Sequence, residues 1–194
     1  MTSTAASTAA MSIAEAQADV RRIYQGGAVG PWVSSAIWLI AAAVTTWGSE
    51  VAGAAALFLG GILIFPLTTL ALTLLGGPAG LPKGHPMIAL AALTAITVPI
   101  GLIVALWLLP QSPHIFTSAA MVIVGAHYLP FVFLYGMRVY AALAAVLCAG
   151  GVLIALAVPN PGPVAAWAGA GVLIVFGFII RRACMRMAAP ADDR

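Results

Sequence analysis

The hydrophobic positions of this 194-residue chain fall into six long apolar stretches separated by short breaks. A helix needs about 20 apolar residues to cross a bilayer, and each stretch is long enough. The breaks contain glycine, proline or charged residues, which end helices and form turns. The pattern predicts an all-α membrane protein, a six-transmembrane-helix bundle that fills the domain 29–182. The predicted spans are 29–47, 51–75, 87–109, 115–134, 139–158 and 163–182.

A different pattern precedes the first span. Ser12 and Glu15 form an S-x-x-E capping box, and the residues after them place apolar and charged side chains on opposite faces of a helix. Residues 12–28 are therefore predicted to be an N-terminal amphipathic helix followed by a glycine-rich hinge. This helix would either lie in the membrane interface or act as a gate over a pore. Residues 1–11 and the basic tail 183–194 are predicted to be disordered.

Composition and charge support this assignment. The chain is 63% hydrophobic and only 7% charged, whereas about 25% of the residues of a soluble domain are charged. With six spans, every lysine and arginine falls on one side of the membrane, and the first, third and fifth loops contain none. The positive-inside rule then predicts that both termini are cytoplasmic. The expected partner is the lipid bilayer, and we expect no nucleic-acid partner.

Polar side chains within the spans fall in one layer. At 1.5 Å per residue they lie about 8–15 Å from the cytoplasmic end of their spans. Three prolines, Pro66, Pro99 and Pro130, lie near this layer and should kink their helices. The layer either lines an inward-facing pocket for a ligand or ion, or its groups satisfy one another in dry helix contacts. The candidate pocket residues are Ser34, Thr68, Thr94, Thr97, His127 and Tyr128.

His127 is the ionisable side chain placed clearly within a span, and such groups are often functional. All five acidic residues lie outside the spans, which argues against a proton-coupled pump. Arg138 follows the fourth span, between tyrosines. It is either a positive-inside anchor or the entrance to the pocket that attracts an anion.

The sequence lacks the motifs of common catalytic and cofactor-binding sites. It contains no metalloprotease, P-loop, dinucleotide-binding or serine-hydrolase motif. No two histidines have matched depths that would suit haem, and the tail motif "CMRM" is too short to predict a metal site. We therefore expect no enzyme activity, no cofactor and no metal.

Two helices carry small residues at every fourth position, which favours close helix packing. These stripes predict a compact bundle, and they would equally suit a homo-oligomer interface. They are Ala52, Ala56 and Gly60 in the second span, and Ala141, Ala145 and Ala149 in the fifth.

Three segments, "ADVRRIYQGGAVGPWVSSAIW", "GGILIFPLTTL" and "HYLPFVFLYGMRVY", together resemble a family of small bacterial multi-spanning integral membrane proteins of unknown function. The resemblance covers about residues 12–182. It implies a multi-pass protein of the bacterial inner (cytoplasmic) membrane and assigns no site residue. Two functions follow from the sequence as hypotheses. The first is a small-molecule permease or channel-like protein with a cytoplasm-facing polar pocket. The alternative is a non-transporting sensor, scaffold or assembly factor that acts through protein contacts.

Overall fold

The computed structural model describes residues 11–78 and 80–188, and these residues form helices, turns and loops without a strand. Six of its helical segments are long and apolar enough to cross a membrane, so the predicted number of spans is confirmed. The predicted disorder of 1–10 and of 189–194 lies outside the described residues. The α-helices are α1 (Ile13–Ile23), α2 (Val29–Trp47), α3 (Glu50–Leu74), α4 (Ile88–Leu106), α5 (Phe116–His127), α6 (Leu129–Tyr135), α7 (Val139–Ala157) and α8 (Pro161–Ala188).

Local sequence explains where these helices begin and break. The Ser12 hydroxyl accepts a hydrogen bond from the Glu15 amide at 3.3 Å, and the Glu15 carboxylate accepts one from the Ser12 amide at 2.8 Å, which closes the capping box of α1. Ser49 caps α3 in a similar way. The fourth span breaks at Tyr128 into α5 and α6, next to Pro130, which cannot donate a backbone hydrogen bond.

The last helix differs from its prediction. α8 continues to Ala188, past the predicted end at 182, so the first part of the predicted tail is helical. The physical reason is that alanine, methionine and arginine, which make up most of this segment, are strong helix formers, and that Ala183 and Cys184 pack against the core.

Helix α2 packs closely against α3 on one side and α8 on the other. Trp38 of α2 is buried against Gly169 of α8, where a β-carbon would overlap the indole ring. Gly60 of α3 faces Ile37 of α2 in the same manner. Glycine at these positions lets the helices approach closely enough to bury large side chains.

The alanine stripe of α7 does not contribute to this packing. Ala141, Ala145 and Ala149 are all exposed on the outside of the bundle. The compact-bundle interpretation is therefore wrong for α7, because the contacts of this helix with α5 and α8 use its opposite face, which includes Leu143 and Leu147. A homo-oligomer through the alanine stripe stays a prediction.

The six spans alternate in direction, so the start of α2 and the end of α8 lie at the same end of the bundle as α1. We call this the basic end, because the lysines and arginines of the described residues lie there. Glu50 lies at the opposite end, near Gly162, where Trp47 and Trp167 also pack edge to face. The basic residues are Arg21, Arg22, Lys83, Arg138, Arg181, Arg182 and Arg186.

Candidate functional site

A cavity of about 420 Å³ lies between α2, α3, α4 and the α5–α6 pair, in the half of the bundle nearer the basic end. Its position follows from the packing, because α4 contacts α5 while its contacts with α3 are sparse. Five of the six predicted pocket residues line this cavity. They are Ser34 from α2, Thr68 from α3, Thr94 from α4, and His127 and Tyr128 from the break between α5 and α6.

The remaining predicted residues lie elsewhere. Thr97 is exposed and is not part of the cavity wall, but its hydroxyl lies 3.2 Å from Nδ1 of His127. Arg138 is exposed at the start of α7 and does not line the cavity. Its roles as an anchor or as an entrance both stay predictions.

The contacts of His127 indicate which ring nitrogen carries its proton. The Thr97 hydroxyl donates its single hydrogen to the Thr94 carbonyl at 2.8 Å, which is a shorter contact than the one to His127. The same hydroxyl oxygen must then accept from Nδ1–H of the imidazole. In this tautomer Nε2 of His127 carries a lone pair and can accept a hydrogen bond.

The threonine hydroxyls of α3 differ in their hydrogen bonding. Thr69 and Thr73 donate to carbonyls four residues earlier, as helical threonines usually do in membranes. The Thr68 hydroxyl is buried and has no hydrogen-bond partner among the described residues. Buried polar atoms are almost always paired, so this wall hydroxyl is free to bond to a ligand.

Sequence reasoning missed the aromatic side of the cavity. Phe131 packs against the His127 ring at 4.9 Å between centroids, and Tyr135 packs against Phe131 at 5.5 Å. All three residues line the cavity. Their spacing of four residues places them on one face of the α5–α6 pair, and this spacing could have identified them from the sequence.

Two wall helices contain proline within the membrane. Pro66 in α3 and Pro99 in α4 lack the N–H that would bond the carbonyls of Ile62 and Ala95 in a regular helix. Ile62, Ala95 and Pro99 all line the cavity. The prolines thus release two carbonyl oxygens from the helix ladder beside the cavity.

Helix α1 lies across the basic end of α6. The Gln17 side chain donates to the Phe133 carbonyl and the Arg21 guanidinium to the Tyr135 carbonyl, both at 2.6 Å. These bonds satisfy carbonyls that a helix leaves free at its C-terminus, where a cation is also favoured. Asp19 of α1 also lies 4.0 Å from Nε2 of buried His85, on the loop between α3 and α4.

A hinge joins α1 to α2. Gln25, Gly26 and Gly27 all have positive φ angles, of 52°, 71° and 80°. Glycine adopts such angles without strain, whereas Gln25 does so as a side-chain-bearing residue. The buried Tyr140 hydroxyl donates to the Gly26 carbonyl at 2.6 Å and holds the hinge in place.

Among the described residues, the cavity wall has no permanently charged side chain. None of the residues that line the cavity is aspartate, glutamate, lysine or arginine. Within the described ranges, no group of three histidine, cysteine or acidic side chains is placed to hold a metal ion. The wall can therefore offer neutral hydrogen bonds and a large apolar surface.

Comparisons with known proteins identify the family of the chain. No curated protein matches it, and no solved structure matches it. A family model described as a family of unknown function matches residues 13–183, which include α1 and all six spans. This chain therefore belongs to the DUF7010 family of unknown function.

Proposed function

We propose that this protein is a permease that binds a small uncharged molecule in the cavity and passes it to the cytoplasm. The observation that carries the proposal is the cavity itself. Its volume of about 420 Å³ falls within the range of roughly 300–1,000 Å³ that is usual for ligand pockets. Four spans contribute polar side chains to it, so a bound ligand would contact all four of these spans.

The wall favours an uncharged ligand. Moving an ion into a membrane interior is costly unless an opposite charge or many dipoles compensate it. The cavity wall has no fixed charge and is mostly apolar. An ionic substrate would therefore be poorly stabilised, whereas a neutral molecule with one polar group would be well accommodated.

The proposal includes the orientation of the bundle. Cytoplasmic loops of membrane proteins are enriched in lysine and arginine, so the basic end would face the cytoplasm and both termini would lie there, in a bacterial inner membrane. A reporter fused after Lys83 should be active on the cytoplasmic side, and one fused after Glu50 on the opposite side. Activity of both reporters on one side would refute this orientation.

Helix α1 would act as the cytoplasmic gate of the permease. Its apolar residues Ala16, Val20 and Ile23 are buried against the rest of the chain. In this conformation the same face is not available to the lipid interface or to a protein partner. This burial supports the gate over the alternative function of a sensor, scaffold or assembly factor.

Thiol accessibility tests the proposal. Single cysteines replace Ser34 and Thr68 in a chain without Cys148 and Cys184, and a membrane-impermeant maleimide is added from the basic side. A permease must open its site to water, so both cysteines should react. Reaction should be faster when Arg21→Ala removes a bond that holds α1 against α6.

The matched control is a cysteine at Lys83, which lies in an exposed loop at the same end and should react in every variant. If Lys83→Cys reacts while neither cavity cysteine does, with or without Arg21→Ala, the cavity never opens to water. That result would overturn the permease and favour the interaction function.

A further inference from the structure

We infer that the cavity is loaded sideways from the bilayer, between α3 and α4, and that its ligand is an uncharged single-chain amphiphile with a hydroxyl-bearing head. This inference rests on the proposed function, because it names the substrate class and the entry route of the same cavity. Three independent features support it: the position of the opening, the weak seam between two helices, and the chemistry of the wall.

The exposed part of the wall shows where the cavity opens. Ile62 and Phe65 of α3 are 54% and 68% exposed, and Ala95 of α4 is also exposed. At the basic end, by contrast, the wall residues Leu72 and Tyr135 are buried. The most exposed part of the wall therefore lies on the α3 and α4 side, which faces the surrounding lipid.

α3 and α4 are the least buried helices of the wall, and they contact each other sparsely. Only 11% of the α3 span and 17% of the α4 span are buried, against 56% of the first span. Each of the two helices also contains a proline, Pro66 or Pro99, at the level of the opening. Proline removes a helix hydrogen bond and permits bending, so these helices can separate at lower cost than their neighbours.

A sideways opening selects for ligands that dissolve in the membrane. A polar solute in water would first have to cross hydrocarbon to reach it, which costs free energy for every unpaired polar group. An amphiphile already concentrates in the bilayer. Its apolar chain would match the isoleucine, valine, leucine and phenylalanine side chains of the wall.

The polar groups of the wall match a hydroxyl. Nε2 of His127 accepts hydrogen bonds in the tautomer indicated by Thr97, and the carbonyls of Ile62 and Ala95 are released by the prolines. The unpartnered Thr68 hydroxyl can donate to the ligand head or accept from it. A neutral alcohol satisfies these groups without bringing a charge into the cavity.

The test uses a long-chain fatty alcohol, hexadecanol with a photoreactive diazirine in its chain, and the purified full-length protein in phosphatidylcholine vesicles. Irradiation should attach the probe to peptides of α3 and α4. An excess of unlabelled hexadecanol should abolish the labelling. Hexadecanesulfonate, which has the same chain and a permanent charge, should not.

A plug variant locates the entry. Gly61 lines the cavity, and a β-carbon placed there would make only an ordinary contact with Leu102 of α4, at 3.6 Å. Gly61→Phe should fill the opening and reduce labelling to the level without irradiation. The matched control is Gly171→Phe, at a glycine of α8 that has open space around it, and it should label like the wild type.

A second variant tests the head group. Thr68→Val removes the unpartnered hydroxyl and should weaken competition by hexadecanol about fivefold, the effect of one neutral hydrogen bond. Thr73→Val is the control, because the Thr73 hydroxyl is bonded to its own helix outside the cavity wall. It should leave competition unchanged.

The outcomes separate this inference from the permease. Suppose that the cavity cysteines react with the water-soluble maleimide. If the alcohol then fails to label the protein, or labels Gly61→Phe as strongly as the wild type, sideways loading is wrong and the permease stands. If the alcohol labels in the expected pattern and the cysteines stay unreactive, the cavity binds an amphiphile but the permease is wrong. Equal competition by the sulfonate would overturn the uncharged head.

Discussion

The hinge between α1 and α2 depends on one buried hydrogen bond, and removing it should destabilise the protein by a definable amount. Tyr140 is fully buried, and its hydroxyl donates to the Gly26 carbonyl at 2.6 Å. Tyr140→Phe keeps the ring, which stacks on Tyr135 at 5.2 Å between centroids. The substitution therefore deletes the hydrogen bond while preserving the aromatic packing.

The magnitude follows from the carbonyl left behind. A buried polar group that loses its partner costs about 1–3 kcal/mol. For a chain of this length, each kcal/mol lowers the melting temperature by about 2–4 °C. Tyr140→Phe should thus lower the melting temperature by about 2–12 °C. Thermal unfolding of the detergent-solubilised protein, followed by circular dichroism, measures this shift.

Tyr135→Phe provides the matched control. Tyr135 is buried in the same aromatic cluster, and its hydroxyl forms no hydrogen bond with the part of the chain that the structure describes. This variant should melt close to the wild type. If the two variants melt at the same temperature, the Tyr140–Gly26 bond does not stabilise the hinge and the reasoning is refuted.

Three further predictions concern other contacts. Arg21→Ala removes a half-buried charged hydrogen bond to a helix C-terminus and should lower the free energy of unfolding by about 1.5–3 kcal/mol. Arg22→Ala breaks an exposed ion pair and should lower it by at most about 1 kcal/mol. Equal melting temperatures of the two variants would contradict this prediction. Gly169→Ala should destabilise the bundle by about 1–3 kcal/mol through overlap with a buried indole, while Gly171→Ala, which has open space, should leave the melting temperature unchanged. The hydrogen bonds from the capping serine hold the pKa of the Glu15 carboxyl below its usual value of 4.5, so their contribution to α1 is present above that pH and is lost as the pH falls through the lower pKa. The protection factors of the α1 amides, corrected for the intrinsic exchange rate at each pH, should fall in acid. Glu15→Gln should remove that dependence, and an unchanged pH profile in the variant would contradict the assignment.

The six spans were predictable because membrane insertion depends on a property that each segment carries by itself. A segment of about 20 apolar residues spans the bilayer whatever its neighbours are, and the first span was predicted at the observed bounds, Val29–Trp47. The break at Pro130 was equally local. The end of α8 was wrong because hydropathy marks the bilayer boundary, while helix-forming residues continue the helix to Ala188, and Ala183 and Cys184 pack against the core.

The sequence predicted how deep the candidate site residues lie along their spans, but not which way their side chains point. Counting residues from the span ends placed His127 and Thr68 in one layer, and both line the cavity. The same counting placed Thr97 there, although its side chain is outside the wall. Depth depends on 1.5 Å per residue, whereas direction depends on how each helix is rotated against its neighbours.

The sequence by itself determined the all-helical class, the number of spans, the charge asymmetry and the depth of the polar layer, because each is a property of one segment and its position along the chain. Tertiary structure alone decided which side chains line the cavity, that α1 packs against α6, and that the alanine stripe of α7 faces outward. The physical reason is that these features depend on which helix faces meet. That choice minimises the packing energy of the whole bundle, and no single span encodes it.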